Sequence, residues 1–264
     1  MIKSELYKFF KSWKSIIVVL IALSLGVLHT IDSVFYTGIS SIKLNPYHPA
    51  FASFLNGTSA RGNYRTYFLW IMPVLLIIAY CGKTVDEKKK NIDLICYTKK
   101  NTQQYFFSKI ITSGIVASFI NLVPNIVSII LTTGFLHGKT GFMDSETFSV
   151  ADEGVFNYWC IHHPYPAYMI FLVCNLIVTA LLGMMCQSVV FLVEDAKLSM
   201  LIVMAIWMGL YYGNKYFFIG SIMQPFVDEN TLSIFLMCWV TYVPMIIFWV
   251  GIAWGKVVRK RDKI

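Results

Sequence analysis

Six long apolar runs dominate the chain, at residues 16–36, 66–82, 107–136, 167–193, 198–220 and 233–254, and charged or turn-forming residues separate them. Crossing the hydrocarbon of a bilayer takes roughly 17 to 25 mostly apolar residues, and each run is long enough. A segment alone in lipid satisfies its backbone polar groups only as a helix. The pattern therefore predicts an all-α integral membrane protein with six transmembrane helices, forming one domain over residues 1–264.

Ahead of the first run, MIKSELYKFFKSW sets Ile2, Leu6, Phe9, Phe10 and Trp13 roughly on one helical face and Lys3, Lys8, Lys11 and Lys14 mainly elsewhere. That periodicity predicts an amphipathic interfacial helix over residues 1–14 that leads the chain sideways into the membrane. Only Glu194-Asp195-Ala196-Lys197 joins the fourth and fifth runs, so these two are expected to be antiparallel neighbours. Between the fifth and sixth, the apolar stretch 216–226 is too short to span and is expected to dip into the membrane and return, its backbone satisfied by protein or water.

Composition agrees with this class: 57% of residues are hydrophobic and 14% charged, with a mean hydropathy of +0.63, well to the apolar side of a soluble domain. Under the six-span arrangement with both termini cytoplasmic, 17 of the 22 Lys and Arg fall inside, as the positive-inside rule requires. The net charge of +8 is then a consequence of topology and of attraction to anionic headgroups of the bilayer, and no nucleic acid is expected as a partner. The expected location is the cell membrane, multi-pass. The first apolar run is longer than a signal-peptide core and lacks a clear small-residue cleavage site, so it is expected to be retained. Of the outside segments, 37–65 carries Lys43, Arg61 and Arg65 without an acid, whereas the extracellular loop 137–166 carries Asp144, Glu146, Asp152 and Glu153 against Lys139. The six cysteines form no C-x-x-C pair and read as core residues.

Within the third run, Gly114, Ser118, Asn121, Asn125, Ser128 and Thr132 recur at steps of four and three, and in the fourth Asn175, Thr179, Gly183 and Gln187 recur at steps of four. Two such stripes are suited to face each other. Small and polar residues let helices approach and hydrogen-bond in lipid; the alternative is that Asn121, Asn125, Ser128, Asn175, Thr179 and Gln187 line a translocation path. Pro73, Pro124 and Pro244 each remove a backbone donor inside a span. Gly209-x-x-x-Gly213 and Gly251-x-x-x-Gly255 fit close helix contact. His29 and Asp32, one turn apart, form an ionisable pair at the outer end of the first span, either functional or simply a solvated helix end.

Enzymatic chemistry is poorly represented. Cys160-Ile-His162-His163 supplies ligand-type residues without the spacing of a closed zinc site, so no metal is expected. Gly82-Lys83-Thr84 and Gly138-Lys139-Thr140 lack the upstream glycine of a phosphate-binding loop, with Ile77 and Thr133 in its place. There is no nucleophile elbow and no His-Glu-x-x-His. The chain is therefore expected to be no enzyme, with no catalytic residue and no cofactor.

Residues 83–109 interrupt the apolar sequence with seven lysines against Asp86, Glu87 and Asp93. Here Asp86-Glu87 is followed by Asn91-Ile92-Asp93-Leu94-Ile95, then by Asn101-Thr102, and then by Tyr105-Phe106-Phe107-Ser108-Lys109 at the start of the third span. This succession resembles the permease subunits of ABC-type exporters of the type-2 class, as does the opening Lys3-Ser4-Glu5-Leu6-Tyr7-Lys8 before an aromatic pair. Lys99 and Thr102 stand where that family often has Pro and Arg. The resemblance covers the six-span layout, and residue by residue about the first 110 positions. It implies a cytoplasmic coupling segment at 83–106, with a helix over 85–104 seated in a groove of a separate ATPase subunit. Asp86, Glu87, Asn91 and Asp93 would make its polar contacts, and Leu94, Ile95 and Tyr97 its apolar ones. It further implies a second permease chain, identical or related, and a peptide or other amphiphilic substrate, such as an antimicrobial peptide. Two rival readings are a membrane subunit that senses an antibiotic, and an intramembrane lipid-modifying enzyme using His29 and Asp32 or His162 and His163.

Overall fold

The computed structural model describes residues 1–39, 48–53, 63–91, 102–138, 155–212, 220–223 and 232–261, and every regular element among them is helical. In order these are α1 (Ile2–Phe10), α2 (Trp13–Ile39), α3 (Pro49–Ala52), α4 (Asn63–Leu76), a π-helical turn (Ile77–Cys81), α5 (Lys83–Lys89), α6 (Thr102–Phe135), α7 (Val155–His162), α8 (Pro164–Val193), α9 (Ala196–Tyr211), α10 (Gly220–Met223) and α11 (Leu232–Arg261).

Five stretches among the described residues are long and apolar enough to cross a membrane: Trp13–Val34, Thr66–Lys89, Thr102–Phe135, Pro164–Val193 and Leu232–Val258. The expected fifth of six spans, 198–220, lies within the described residues except for 213–219. Its helix α9 has 16 residues, which at about 1.5 Å per residue falls short of a hydrocarbon core of ~30 Å. The chain is thus a multi-pass, membrane-embedded, all-helical protein with five helices of spanning length and one shorter apolar helix among the described residues.

The centre of the bundle is the contact between α6 and α8, and the two polar stripes lie on it. A Cβ on Gly183 would run into the backbone oxygen of Ser113 and stand 2.7 Å from the Ala117 side chain. No larger residue fits there unless the helices part. Around this seam, Asn121 Nδ2 donates to Thr179 Oγ1 at 3.4 Å, and Ser118 Oγ donates to Leu176 O at 2.8 Å. Asn125 Nδ2 donates back to Asn121 O, and Tyr168 donates to Asn125 O at 3.2 Å. Thr179 returns its hydroxyl to Asn175 O at 2.8 Å. Asn121, Asn125, Ser128, Asn175, Thr179 and Gln187 are all buried, and partnering of this kind is what makes a buried amide or hydroxyl tolerable in an apolar medium.

Two short helices close the α3 end of the bundle. Ser128 donates to Ser53 O just after α3, at 3.2 Å, and lies 3.1 Å from Thr30 Oγ1 of α2. Within the 216–226 stretch, α10 buries Ile222 and Met223, and Asn175 Nδ2 donates to Met223 O at 2.6 Å. Trp207, fully buried on α9, donates to Leu69 O of α4 at 2.9 Å. By contrast, a Cβ added at Gly209, Gly251 or Gly255 would meet no atom within 4 Å. Among the described residues these glycines therefore make no close helix contact.

Candidate functional site

At the other end of the bundle, four elements meet around a set of charged side chains. The first is α1, which is held down by Phe9, 1% exposed, against Phe119 of α6 with ring centroids 6.2 Å apart. Glu5 lies one turn before Phe9 on the same face and is buried with it. The α1 face divides accordingly: Phe9 and Glu5 turn inward, whereas Phe10 and Trp13, expected beside them, are 56% and 72% exposed.

Glu5 meets Lys109, an ammonium that is 1% exposed in the second turn of α6. Lys109 Nζ lies 2.6 Å from Glu5 Oε2 and 2.7 Å from Glu87 Oε2 of α5. Lys8 closes the ring, at 2.7 Å from Glu5 Oε1 and 2.9 Å from Glu87 Oε1. Tyr80 of the π turn donates to Glu5 Oε2 at 3.0 Å and Tyr105 to Glu87 Oε2 at 3.4 Å, and both rings flank the Lys109 ammonium. Two carboxylates and two ammoniums thus neutralise one another, and the two hydroxyls occupy further lone pairs. A buried charge is tolerated only when paired and hydrogen-bonded in this way.

The electrostatics follow from that geometry. Burial by itself would raise the Glu5 carboxyl, but the Lys109 charge and the hydrogen bonds from Lys109 and Lys8 outweigh it and hold Glu5 below its ordinary value. For Lys8, burial pulls downward, and the hydrogen bonds to Glu5 and Glu87 outweigh it and raise the ammonium above the usual lysine range. Both groups stay charged through the neutral range.

A second cluster forms at the next residue of α5. Lys88, the residue after Glu87, lies 3.3 Å from Glu194 Oε1, and Lys256 of α11 reaches the same oxygen at 3.3 Å. Lys256 also donates to Leu192 O at 2.5 Å. Glu194 ends α8 in the left-handed region, φ 62°, and the next residue, Asp195, caps α9 by accepting from Leu198 N at 2.8 Å. Adjacent residues of one short helix therefore reach two separate clusters. Glu87 ties α5 to α1 and α6, and Lys88 ties it to the α8–α9 turn and α11.

The π turn positions α5. Gly82 N donates to Ile77 O at 2.8 Å, a five-residue step, and a Cβ at Gly82 would meet that same oxygen at 2.8 Å. The extra residue of a π turn re-aims the helix after it. Ser15 at the head of α2 donates to Ala79 O at 2.9 Å, Lys83 donates to Ser15 Oγ at 3.1 Å, and Gln187 of α8 donates to Thr84 Oγ1 at 3.0 Å. These bonds fix the start of α5 against both α2 and α8.

The residues expected to serve coupling fall differently. Glu87 is in the ring just described, Asp86 is exposed in the first turn of α5, and Asn91, φ 53°, sits in the left-handed region just beyond Lys90, the residue that caps α5. Asn is among the few residues that adopt that conformation cheaply, so Asn91 helps end α5. Asp93, Leu94, Ile95 and Tyr97 lie outside the described residues, as does 92–101 as a whole. Elsewhere, buried His29 has its Nε2 3.0 Å from Ala52 O, and the His162 ring stacks on Tyr158 at 4.0 Å between centroids. Among the described residues no three His, Cys, Asp or Glu side chains gather as metal ligands. Glu5, Lys8, Tyr80, Lys88, Lys109, Glu194 and Lys256 are brought together by the fold, and their sequence positions do not mark them as site residues. The usable signal is Glu5, the single acid among the lysines of α1 and one turn from Phe9 on the face that packs.

Comparison with known proteins places the chain near a Bacillus subtilis protein described as the uncharacterized protein YybM. The two are 26% identical over 182 residues, 69% of this chain and 71% of the relative. No family model matches the sequence. No solved structure matches it.

Proposed function

We propose that this chain is the membrane-spanning subunit of an ATP-driven exporter of the ABC type, powered by a separate ATPase subunit and moving a peptide or other amphiphilic substrate. In this reading both termini and residues 83–106 face the cytoplasm of the cell, and a second permease chain completes the core. The observation that carries it is the position of α5. A partner that displaced the segment beginning at α5 would pull through Glu87 on α1 and α6 and through Lys88 on the α8–α9 turn and α11. Force applied at one short helix would reach four other elements through charged bonds, which resist lengthening more than apolar contacts do. Packed helices with two discrete arrangements are what nucleotide binding can bias.

The hydrogen-bonded stripe between α6 and α8 supports a rigid seam within one chain, with a substrate path elsewhere, at the junction with the second chain. The test is affinity capture of the tagged chain from its native membranes in mild detergent, followed by identification of the subunits recovered. A stoichiometric ATPase is expected with the native chain and is expected to be lost when Leu94 and Ile95 are both replaced by Asp, with membrane insertion unchanged. Capture of the chain alone, or an ATPase that stays with the double variant, refutes the coupling assignment.

A further inference from the structure

The bend between α1 and α2 leaves a groove of about 180 Å³ that the ion-pair clusters do not use, lined by Phe9, Phe10, Ser15, Ile16, Val19, Leu20 and Phe119. Its walls are almost wholly apolar, and it is continuous with the exposed apolar face of α2, where Ile16 and Leu20 are 40% and 55% exposed. The aromatic residues beside it, Tyr7, Phe10 and Trp13, are all more than half exposed, as expected of anchors at the level of lipid headgroups. Lys11 and Lys14 lie in the chain between Phe10 and Ser15, two residues that line the groove, and both are exposed. Neither has a carboxylate among the described residues within ion-pair distance, whereas Lys8 on the same helix is fully engaged with Glu5 and Glu87. Lys11 Nζ lies over the Tyr7 ring, 5.8 Å from its centroid, a contact that leaves the charge without a counter-ion. An apolar slot, exposed aromatics and two ammoniums with no carboxylate among the described residues are the complement of one molecule.

We propose that this groove is a binding site for a single anionic phospholipid, one acyl chain lying between α1 and α2 against Phe119 and the phosphate meeting Lys11 and Lys14. The lipid would wedge under α1 and so bear on the helix that carries Glu5. The site stands on the groove and its lysines alone and holds whether or not the chain works with an ATPase.

The experiment is native mass spectrometry of the full-length protein, stripped of lipid by detergent exchange and titrated with phosphatidylglycerol or with phosphatidylcholine of the same acyl chains. One phosphatidylglycerol per chain is expected to bind roughly thirtyfold more tightly than phosphatidylcholine, the contribution of two basic residues near a charged headgroup. Lys11→Gln with Lys14→Gln is expected to abolish that preference without weakening phosphatidylcholine. Val19→Trp, which fills the groove, is expected to weaken both lipids; if it fails to fold, Leu20→Trp at the more exposed wall serves instead. Equal affinity for the two lipids, a preference that survives loss of both lysines, or a protein dimer that forms through this face with no lipid retained would each overturn the proposal.

Discussion

Replacing Lys109 by Met should release α1 from the bundle. The lysine is almost fully buried and lies 2.6 and 2.7 Å from two carboxylates. Without it, Glu5 and Glu87 would share only Lys8, whose side chain is 44% exposed and therefore partly screened. Removing one partner from a buried ionic cluster costs about 3–5 kcal/mol, because the remaining charge is left without compensation. Since Lys8, Tyr80 and Tyr105 remain, the lower end applies, about 3 kcal/mol, which is roughly a hundredfold in an opening equilibrium. Hydrogen exchange of the α1 amides in detergent reads that equilibrium directly, as local openings do. The expected result is α1 exchange about a hundredfold faster in Lys109→Met, with the α6–α8 seam unchanged. Adding Glu5→Gln should recover a large part of the loss, since the amide needs no counter-charge. Unchanged α1 exchange in Lys109→Met, or no recovery in the double variant, would refute the reasoning.

Acid should have the same target. Glu5 is held below its ordinary value in the folded chain, so its contribution is complete above the usual carboxylate range and is lost as pH falls through the folded value. Thermal unfolding followed from pH 7 down to about pH 2 should show a midpoint that holds at neutral pH, declines below the usual carboxylate range, and declines less in Glu5→Gln. Gly183→Val should cost about 1–3 kcal/mol or more through overpacking against Ser113 and Ala117, whereas Gly251→Ala, facing open space, should leave the midpoint unchanged. Trp207→Phe should cost about 1 kcal/mol by removing the donor to Leu69 O, read as a lower midpoint with the helical content intact.

The membrane class and helical make-up are legible in the sequence, because long apolar runs admit few other structures in lipid. The polar stripes of the third and fourth runs are visible for a similar reason: helical spacing carries Asn121 and Asn125, or Asn175 and Thr179, onto one face without any long-range information. What escapes is pairing between distant positions. Glu5 and Lys109 are 104 residues apart, and each looks ordinary alone, the lysine as one of many positive charges beside a membrane and the acid as an exception within a basic helix. The split face of α1 escapes too, since periodicity places Phe9, Phe10 and Trp13 together but does not say which of them turns inward. The length of α9 is legible only if Gly213-Asn214-Lys215 is taken as a helix stop and not bridged into the apolar run that resumes at Tyr216.

In the proposed coupling role α5 passes motion from a nucleotide-driven partner to both sides of the bundle, and hydrogen exchange on the captured complex with and without ATP and vanadate reads that motion. Trapping nucleotide is expected to change protection in α5, in α1 and at the start of α6, and at the α8–α9 turn. In Glu87→Gln with Lys88→Gln the change should be confined to α5 and the segment after it. Protection that is the same in both nucleotide states, or a change that reaches α1 and the α8–α9 turn equally in the double variant, would contradict it.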